Sequence, residues 1–303
     1  MAPGGSLREF GQAFDQVAVA YDAVRPGYPA VLVDAAIERG GLARGARVLE
    51  VGCGTGKLTE LLAARGLQVD AVDPGPNMIA AARKRVGDEG RVRFHVARFE
   101  DFPVEAGAYA AVFSATAFHW VDPAVGWSKA AAFLEPGGLL ALLAYLGVGD
   151  EGNSVEVEEA LLAVLRNHAP ELAVGWRPPR DLETLLNGID ARRGNVSEVW
   201  DWVMQAGLHG LARAEAAELF QDVEAQPVLE SLEQTADELL AYFRTTALHS
   251  RIEPAQRAAL EADDRAVIER FGGTLRSTTA TVLVTARRTE EERKSHERER
   301  SSP

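Results

Sequence analysis

The stretch Leu49-Glu50-Val51-Gly52-Cys53-Gly54-Thr55-Gly56-Lys57-Leu58 passes from strand to glycine turn to helix within ten residues. The aliphatic run Arg47 to Val51 reads as a strand, and Leu58 to Arg65 as an amphipathic helix stopped at Gly66. Glycines between them let the backbone approach a ligand closely and aim N–H groups at it. Two nucleotide motifs fail here. A phosphate-cradling P-loop needs glycine where Val51 stands and Ser or Thr where Leu58 stands. The dinucleotide fingerprint needs its third glycine at Lys57. What remains is Glu-x-Gly-x-Gly-x-Gly, a carboxylate leading a glycine turn.

Outward from this turn, short β-branched runs alternate with helical stretches. Gln68 to Val72 reads as a second strand, Asn77 to Val86 as a helix ending at Gly87, and Val92, Phe94 and Val96 alternate as a third strand. Tyr109 to Phe113 forms a fourth strand, and helix Pro123 to Phe133 leads through Pro136-Gly137-Gly138 into a fifth, Leu139 to Ala144. Strand and helix alternating at this spacing imply βαβ units and a parallel sheet covered on both faces. Asp73 closes the second strand, 17 residues after Gly56. A carboxylate there is placed to accept both hydroxyls of a ribose at the sheet's switch point.

After Gly147 the rhythm breaks. Val155 to His168 and Val199 to Ala206 carry helical patterns around Trp176-Arg177-Pro178-Pro179-Arg180, which predicts a helical insertion over 147–220 acting as a lid. Gln221 to Glu230 reads as a sixth strand, with Pro227 keeping part of it out of the ladder. Two helices, Thr235 to His249 and Pro254 to Phe271, precede a last strand, Thr274 to Ala286. The domains expected are an N-terminal cap segment and ligand-binding core over 1–146, the insertion, a C-terminal part of the core over 221–287, and a disordered charged tail over 288–303.

Composition narrows the function. The 303 residues carry 45 acidic against 32 basic side chains, a formal charge of −13, which disfavours a phosphate-tracking nucleic-acid binder. Hydrophobic content of 47% is that of a globular chain. One cysteine excludes an internal disulfide framework, and the six histidines show no helical ligand-pair spacing, so no metal is expected. No apolar run reaches the ~18 residues of a membrane span, and the first ten residues have no signal-peptide core. A cytoplasmic protein is the expectation, with no membrane partner.

At this point the chain resembles the class I S-adenosylmethionine (SAM) dependent methyltransferases, in their small-molecule, trans-aconitate methyltransferase-like branch. Leu49 to Gly56, Asp73-Pro74-Gly75-Pro76-Asn77-Met78, Phe118-His119-Trp120 and Leu134-Glu135-Pro136-Gly137-Gly138 carry the resemblance over about 12–146, and less fully over 221–287. It implies a Rossmann-like, doubly wound α/β fold: a mostly parallel seven-stranded sheet with an antiparallel last strand and a helical lid insertion. It further implies SAM as cofactor, with the Gly52, Gly54 and Gly56 backbone beside its methionine part, Asp73 on the ribose and Met78 on the adenine face. Phe99 and Glu100 would meet the adenine edge, with Arg98 standing where the family often has aspartate. Glu50, Cys53, Pro74 and Ser114 complete the implied set, Cys53 as packing. The start Tyr21-Asp22-Ala23-Val24-Arg25-Pro26-Gly27-Tyr28-Pro29 also looks like the family's, where the tyrosine and arginine (here Tyr21 and Arg25) close over the cofactor's carboxylate. A guanidinium suits that role because it offers two parallel donors.

The expected reaction is in-line methyl transfer to an oxygen or nitrogen of a small-molecule acceptor by a monomer or homodimer. His119, beyond the fourth strand, is the candidate general base, histidine being the side chain that titrates near neutrality; the competing reading makes it a pocket wall. Trp120, Trp176 and Arg177 are the candidate substrate contacts, against a reading in which the tryptophans are core. A SAM-fold protein that catalyses a rearrangement or cyclisation, or one that only binds SAM, is the alternative, because a glycine turn encodes binding and not turnover.

Overall fold

The computed structural model describes residues 14–87, 90–149, 153–174, 179–204, 210–246 and 248–290. Along the chain it contains α1 (Ala18–Val24), α2 (Ala30–Gly40), β1 (Arg47–Val51), α3 (Lys57–Ala64), β2 (Gln68–Asp73), α4 (Pro76–Val86), β3 (Val92–Val96), β4 (Tyr109–Ala115), α5 (Pro123–Phe133) and β5 (Leu134–Val148). There follow α6 (Asn153–His168), α7 (Pro170–Ala173), α8 (Leu182–Asp190), α9 (Val196–Met204), α10 (Ala216–Leu219), β6 (Phe220–Thr235), α11 (Ala236–Phe243), α12 (Pro254–Arg270) and β7 (Thr274–Arg288). Local chemistry sets several of the ends. Pro76 and Pro123 sit in first helical turns, where a missing N–H costs nothing, and the Asp122 side chain caps α5 by accepting from Ala124 N. Thr235 and Glu238 form a reciprocal capping box that starts α11.

One seven-stranded sheet runs in the order β3-β2-β1-β4-β5-β7-β6. Strands β1 to β5 pair in parallel, while β7 pairs antiparallel with both β5 and β6. The winding reverses between β1 and β4, which opens a crevice at their carboxyl ends, the usual ligand position in such sheets. Both faces are covered. Leu49, Val112, Leu140 and Leu142 point into one cluster with Trp127 and Phe133, while Val48, Phe113, Leu139 and Leu143 point into the other with Leu32, Leu58 and Leu62. A smaller apolar cluster joins α6, α11 and α12 through Val157, Leu239, Leu260 and Ile268.

Three expectations change. Pro227 does not interrupt β6: the strand runs sixteen residues, with Pro227 opposite Val282, because β6 is the sheet's edge and a strand there has donors to spare. Strand β7 continues past Ala286 through Arg287 and Arg288, one residue into the expected tail; Glu291 onward lies outside the described residues. The insertion, expected as a lid, also contributes to the core. Leu185 and Ile189 of α8 and Val199, Trp200 and Val203 of α9 are buried in the main core, each side chain contributing roughly 1.5–3 kcal/mol of hydrophobic stabilisation.

Candidate active site

A cavity of about 530 Å³ opens at the carboxyl ends of β1, β2 and β4, within the range of small-molecule sites. The glycine turn forms its floor. Gly52 and Gly54 have φ of +70° and +53°, left-handed values that only glycine takes without strain. A Cβ on Gly52 would stand 2.3 Å from Ala117 Cβ, whereas one on Gly54 would meet nothing within 4 Å. The two glycines thus differ: Gly52 permits contact within the protein, and Gly54 leaves room above the turn. Gly52 N and Cys53 N donate back to Val72 O at 2.8 and 3.1 Å, fixing the turn against β2.

Asp73 ends β2 beside this turn. Its two oxygens accept Gly54 N at 2.9 Å and Gly75 N at 2.8 Å. Burial nonetheless pushes its carboxyl up to about 6, because desolvation outweighs the two backbone donors. Glu50 is deeper, 1% exposed, and its Oε2 has no hydrogen-bond partner of normal geometry. Burial lifts it to about 8 despite the nearby Thr59 hydroxyl, with the Asp73 charge adding to the rise. Two under-satisfied carboxylates facing one cavity make a site that favours hydroxyl donors and positive charge.

The roof comes from the N-terminal segment, held at three places. Asp15 Oδ1 accepts Asn77 N at 2.7 Å and Met78 N at 3.2 Å, so a carboxylate from outside caps the start of α4. Lys57, the residue after the glycine turn, donates to Asp22 O and Arg25 O at 3.0 and 2.8 Å, satisfying carbonyls at the end of α1. Arg25 reaches the end of α11, donating to Thr245 Oγ1, Thr245 O and Tyr242 Oη, each at 3.0 Å. Its guanidinium carbon lies 4.3 Å from the centre of the Tyr242 ring and 5.1 Å from that of Tyr21.

The far wall is the chain leaving β4. Thr116 has φ +49°, costly for a β-branched residue by about 1–3 kcal/mol, and Tyr28 Oη donates to its hydroxyl at 3.3 Å. Burial raises the Tyr28 phenol far above its ordinary range, so it stays protonated. His119 and Trp120 follow on a short turn with ring centres 4.7 Å apart, and Phe14 packs edge-on against Trp120 at 5.7 Å. Beyond β3, Arg98 pairs with Glu100 Oε1 at 2.9 Å, and the same oxygen accepts Asp122 N at 3.0 Å.

Of the expected residues, Tyr21, Arg25, Glu50, Gly52, Cys53, Gly54, Asp73, Pro74, Met78, Phe99, Glu100, His119 and Trp120 all line this cavity. Gly56 and Ser114 do not. Gly56, at φ +83°, lets α3 and α4 approach, a Cβ there lying 3.0 Å from Ala82. Ser114 is fully buried and donates to Val51 O at 2.8 Å, joining β4 to β1. Trp176 and Arg177 lie outside the described residues. Among the described residues of 147–220, none lines the cavity; Trp200 is core, and Trp202 is stacked under Arg180 and Arg192. Sequence reasoning missed Phe14, Tyr28, Thr116 and Thr246. For Tyr28 a signal was present, since it stands three residues after Arg25 in the same motif. Among the described residues no group of His, Cys, Asp and Glu is arranged to hold a metal ion, and no helix is long and apolar enough to cross a membrane.

A strand, glycine turn, helix and acid-ended second strand stand at the switch point of a seven-stranded sheet with an antiparallel last strand, which defines an α/β protein of one architecture. Residues 48–138 match the family model for a methyltransferase domain. It is 38% identical over 138 residues to an uncharacterised methyltransferase of Mycobacterium tuberculosis, a match covering 46% of this chain and 54% of that protein. A ubiquinone biosynthesis O-methyltransferase of Xanthomonas axonopodis pv. citri is 41% identical over 101 residues, 32% of this chain and 42% of the relative. The chain thus spans about half the length of the curated relatives it matches. Among solved structures, one titled a putative type II methyltransferase from Anaeromyxobacter dehalogenans superposes with a TM-score of 0.55 at 24% identity, over 88% of this chain and 99% of that one. The cyclase SpnF superposes with a TM-score of 0.51 at 18% identity, over 96% and 98%. These two show the fold.

Proposed function

We propose that the chain is a SAM-dependent methyltransferase acting on a small molecule, and that transfer is to an oxygen of the acceptor. The observation that carries the reading is the pairing of Asp73 and Glu50 in one cavity above an open glycine turn. Asp73 receives a single backbone N–H on each oxygen; its remaining lone pairs suit a ribose diol. Glu50 keeps one buried oxygen unpaired, which suits the ammonium of the methionine part. The space over Gly54 admits backbone-close contact, and Met78 and Phe99 supply apolar surface for a flat base. These donors and acceptors fit SAM.

When bound, SAM supplies a methyl group on a positively charged sulfur, so the protein needs chiefly to align and to exclude water. Phe14, Tyr21 and Arg25 of the N-terminal segment line the cavity and reduce its exposure to water. The wall of Thr116, His119 and Trp120 faces the acceptor, and His119 serves as the base for an acidic hydroxyl, a contribution worth about 10²–10⁴-fold where a proton must leave. Oxygen as the methylated atom follows the O-methyltransferase relative and the hydroxyl-bearing wall at Tyr28 and Thr116.

Calorimetric titration with SAM and with S-adenosylhomocysteine tests this. Wild type is expected to bind both at micromolar levels, and Asp73→Ala to lose at least tenfold, about 1.4 kcal/mol. A folded wild type that binds neither would end the enzyme reading. Labelled methyl from SAM should then appear in oxygen-bearing small molecules with wild type and fall with His119→Ala. A changed acceptor skeleton with no labelled methyl would instead favour a rearrangement.

A further inference from the structure

Arg25 lines the cavity, yet three of its bonds run away from it, to residues 217 and 220 positions later in the chain. The receiving end is built with care. Thr245 is 1% exposed; its hydroxyl donates to Tyr242 O at 2.7 Å while accepting Arg25 Nε at 3.0 Å. Thr246, which itself lines the cavity, donates to Phe243 O at 2.7 Å. Two threonine hydroxyls thus satisfy the last carbonyls of α11 and hold the Tyr242 ring and the Thr245 oxygens in place. A guanidinium has five N–H donors in a rigid plane. Three are spent on this platform, and two are left, one on each Nη atom.

We propose that Tyr242 and Thr245 are positioning residues that aim the two unspent N–H donors of Arg25 at the carboxylate of the cofactor's amino-acid part. The inference rests on the SAM reading above. Arg25 is a long side chain whose rotamer freedom would otherwise have to be lost on binding; clamping it beforehand moves that cost into folding. The clamp also joins the roof to the part of the fold following β6, so the carboxylate end of the site depends on residues outside the matched domain, 48–138.

Paired titrations of the full chain separate this role from a structural one. S-Adenosylhomocysteine carries the amino-acid carboxylate, whereas 5′-methylthioadenosine lacks it and keeps the base and ribose. Tyr242→Phe removes the hydroxyl and keeps the ring. It is expected to weaken S-adenosylhomocysteine about three- to tenfold, the effect of one net hydrogen bond, and to leave 5′-methylthioadenosine unchanged. Thr245→Val should do the same, and Thr245→Ser, which retains the hydroxyl, should bind as wild type; this pair decides the matter if Tyr242→Phe does not fold. Equal losses for both ligands, or none for either, would overturn the assignment. A wild type that binds neither ligand removes the SAM reading and this inference with it, and is distinguished because the failure precedes any substitution.

Discussion

Glu50→Gln is expected to make the ligand-free protein more stable, by an amount that depends on pH. The side chain is 1% exposed and its carboxyl is raised from 4.5 to about 8 by burial. Between those values the native state holds a proton that the unfolded chain releases. Stability from this group is therefore complete below pH 4.5 and is lost as pH rises through 8. At pH 7 the gap to 4.5 is about 2.5 units, and at about 1.36 kcal/mol per unit the penalty is about 3 kcal/mol. Glutamine keeps the shape and the neutral form without that penalty. Urea unfolding at pH 5 and pH 7 measures the difference: the variant's advantage should be under about 1 kcal/mol at pH 5 and grow to about 3 kcal/mol at pH 7. An advantage that is the same at both pH values, or a variant less stable at pH 7, would refute the reasoning. Occupancy should then reverse the ranking, because a cation beside Glu50 favours its charged form. Binding of S-adenosylhomocysteine near pH 7.5 is accordingly expected to release protons in wild type and not in Glu50→Gln, as read by calorimetry in buffers of different ionisation enthalpy.

Further outcomes follow from other contacts. Gly56→Ala places a Cβ 3.0 Å from Ala82 at φ +83° and should cost about 1–3 kcal/mol in urea unfolding. Ser114→Ala loses the buried bond to Val51 O and should cost about 1 kcal/mol while leaving S-adenosylhomocysteine affinity within twofold; a larger loss of affinity would return Ser114 to the binding site. Lys57→Met releases the carbonyls of Asp22 and Arg25, so limited proteolysis should cut sooner near Val24, with the rest of the fold protected.

The parts of the site that were legible in sequence are those in which the chemistry is local. The strand, the glycines and Asp73 sit within one βαβ unit, and the failure of two nucleotide motifs at Val51, Lys57 and Leu58 already narrowed the ligand. The roof was legible only in half: Arg25 announced itself by its motif, but Tyr242 and Thr245 lie more than two hundred residues on and carry no motif of their own. Gly56 and Ser114 do not line the cavity, and a pattern gives a residue's position and not which way its side chain or missing side chain faces. The insertion shows the same limit. Val199, Trp200 and Val203 make an apolar face that serves a lid or a core equally well, and only packing against Ile189 and the sheet decides for core. Pro227 misled because the rule against proline in strands weakens at an edge, and edge position is a property of strand order.

That edge has a consequence for how the molecule behaves in a crowd. Sixteen residues of β6 offer a row of backbone groups long enough to template a strand from a neighbouring chain. The pairing with β7 keeps its register through Pro227, so the donor that proline lacks is missing from the outer row. Glu230 and Glu233 place like charges along the same strand, where a second copy laid alongside would meet its own repulsion. Replacing Pro227 with valine would restore an uninterrupted ribbon, and the first sign would be self-association at high concentration and high salt rather than any change in the cavity.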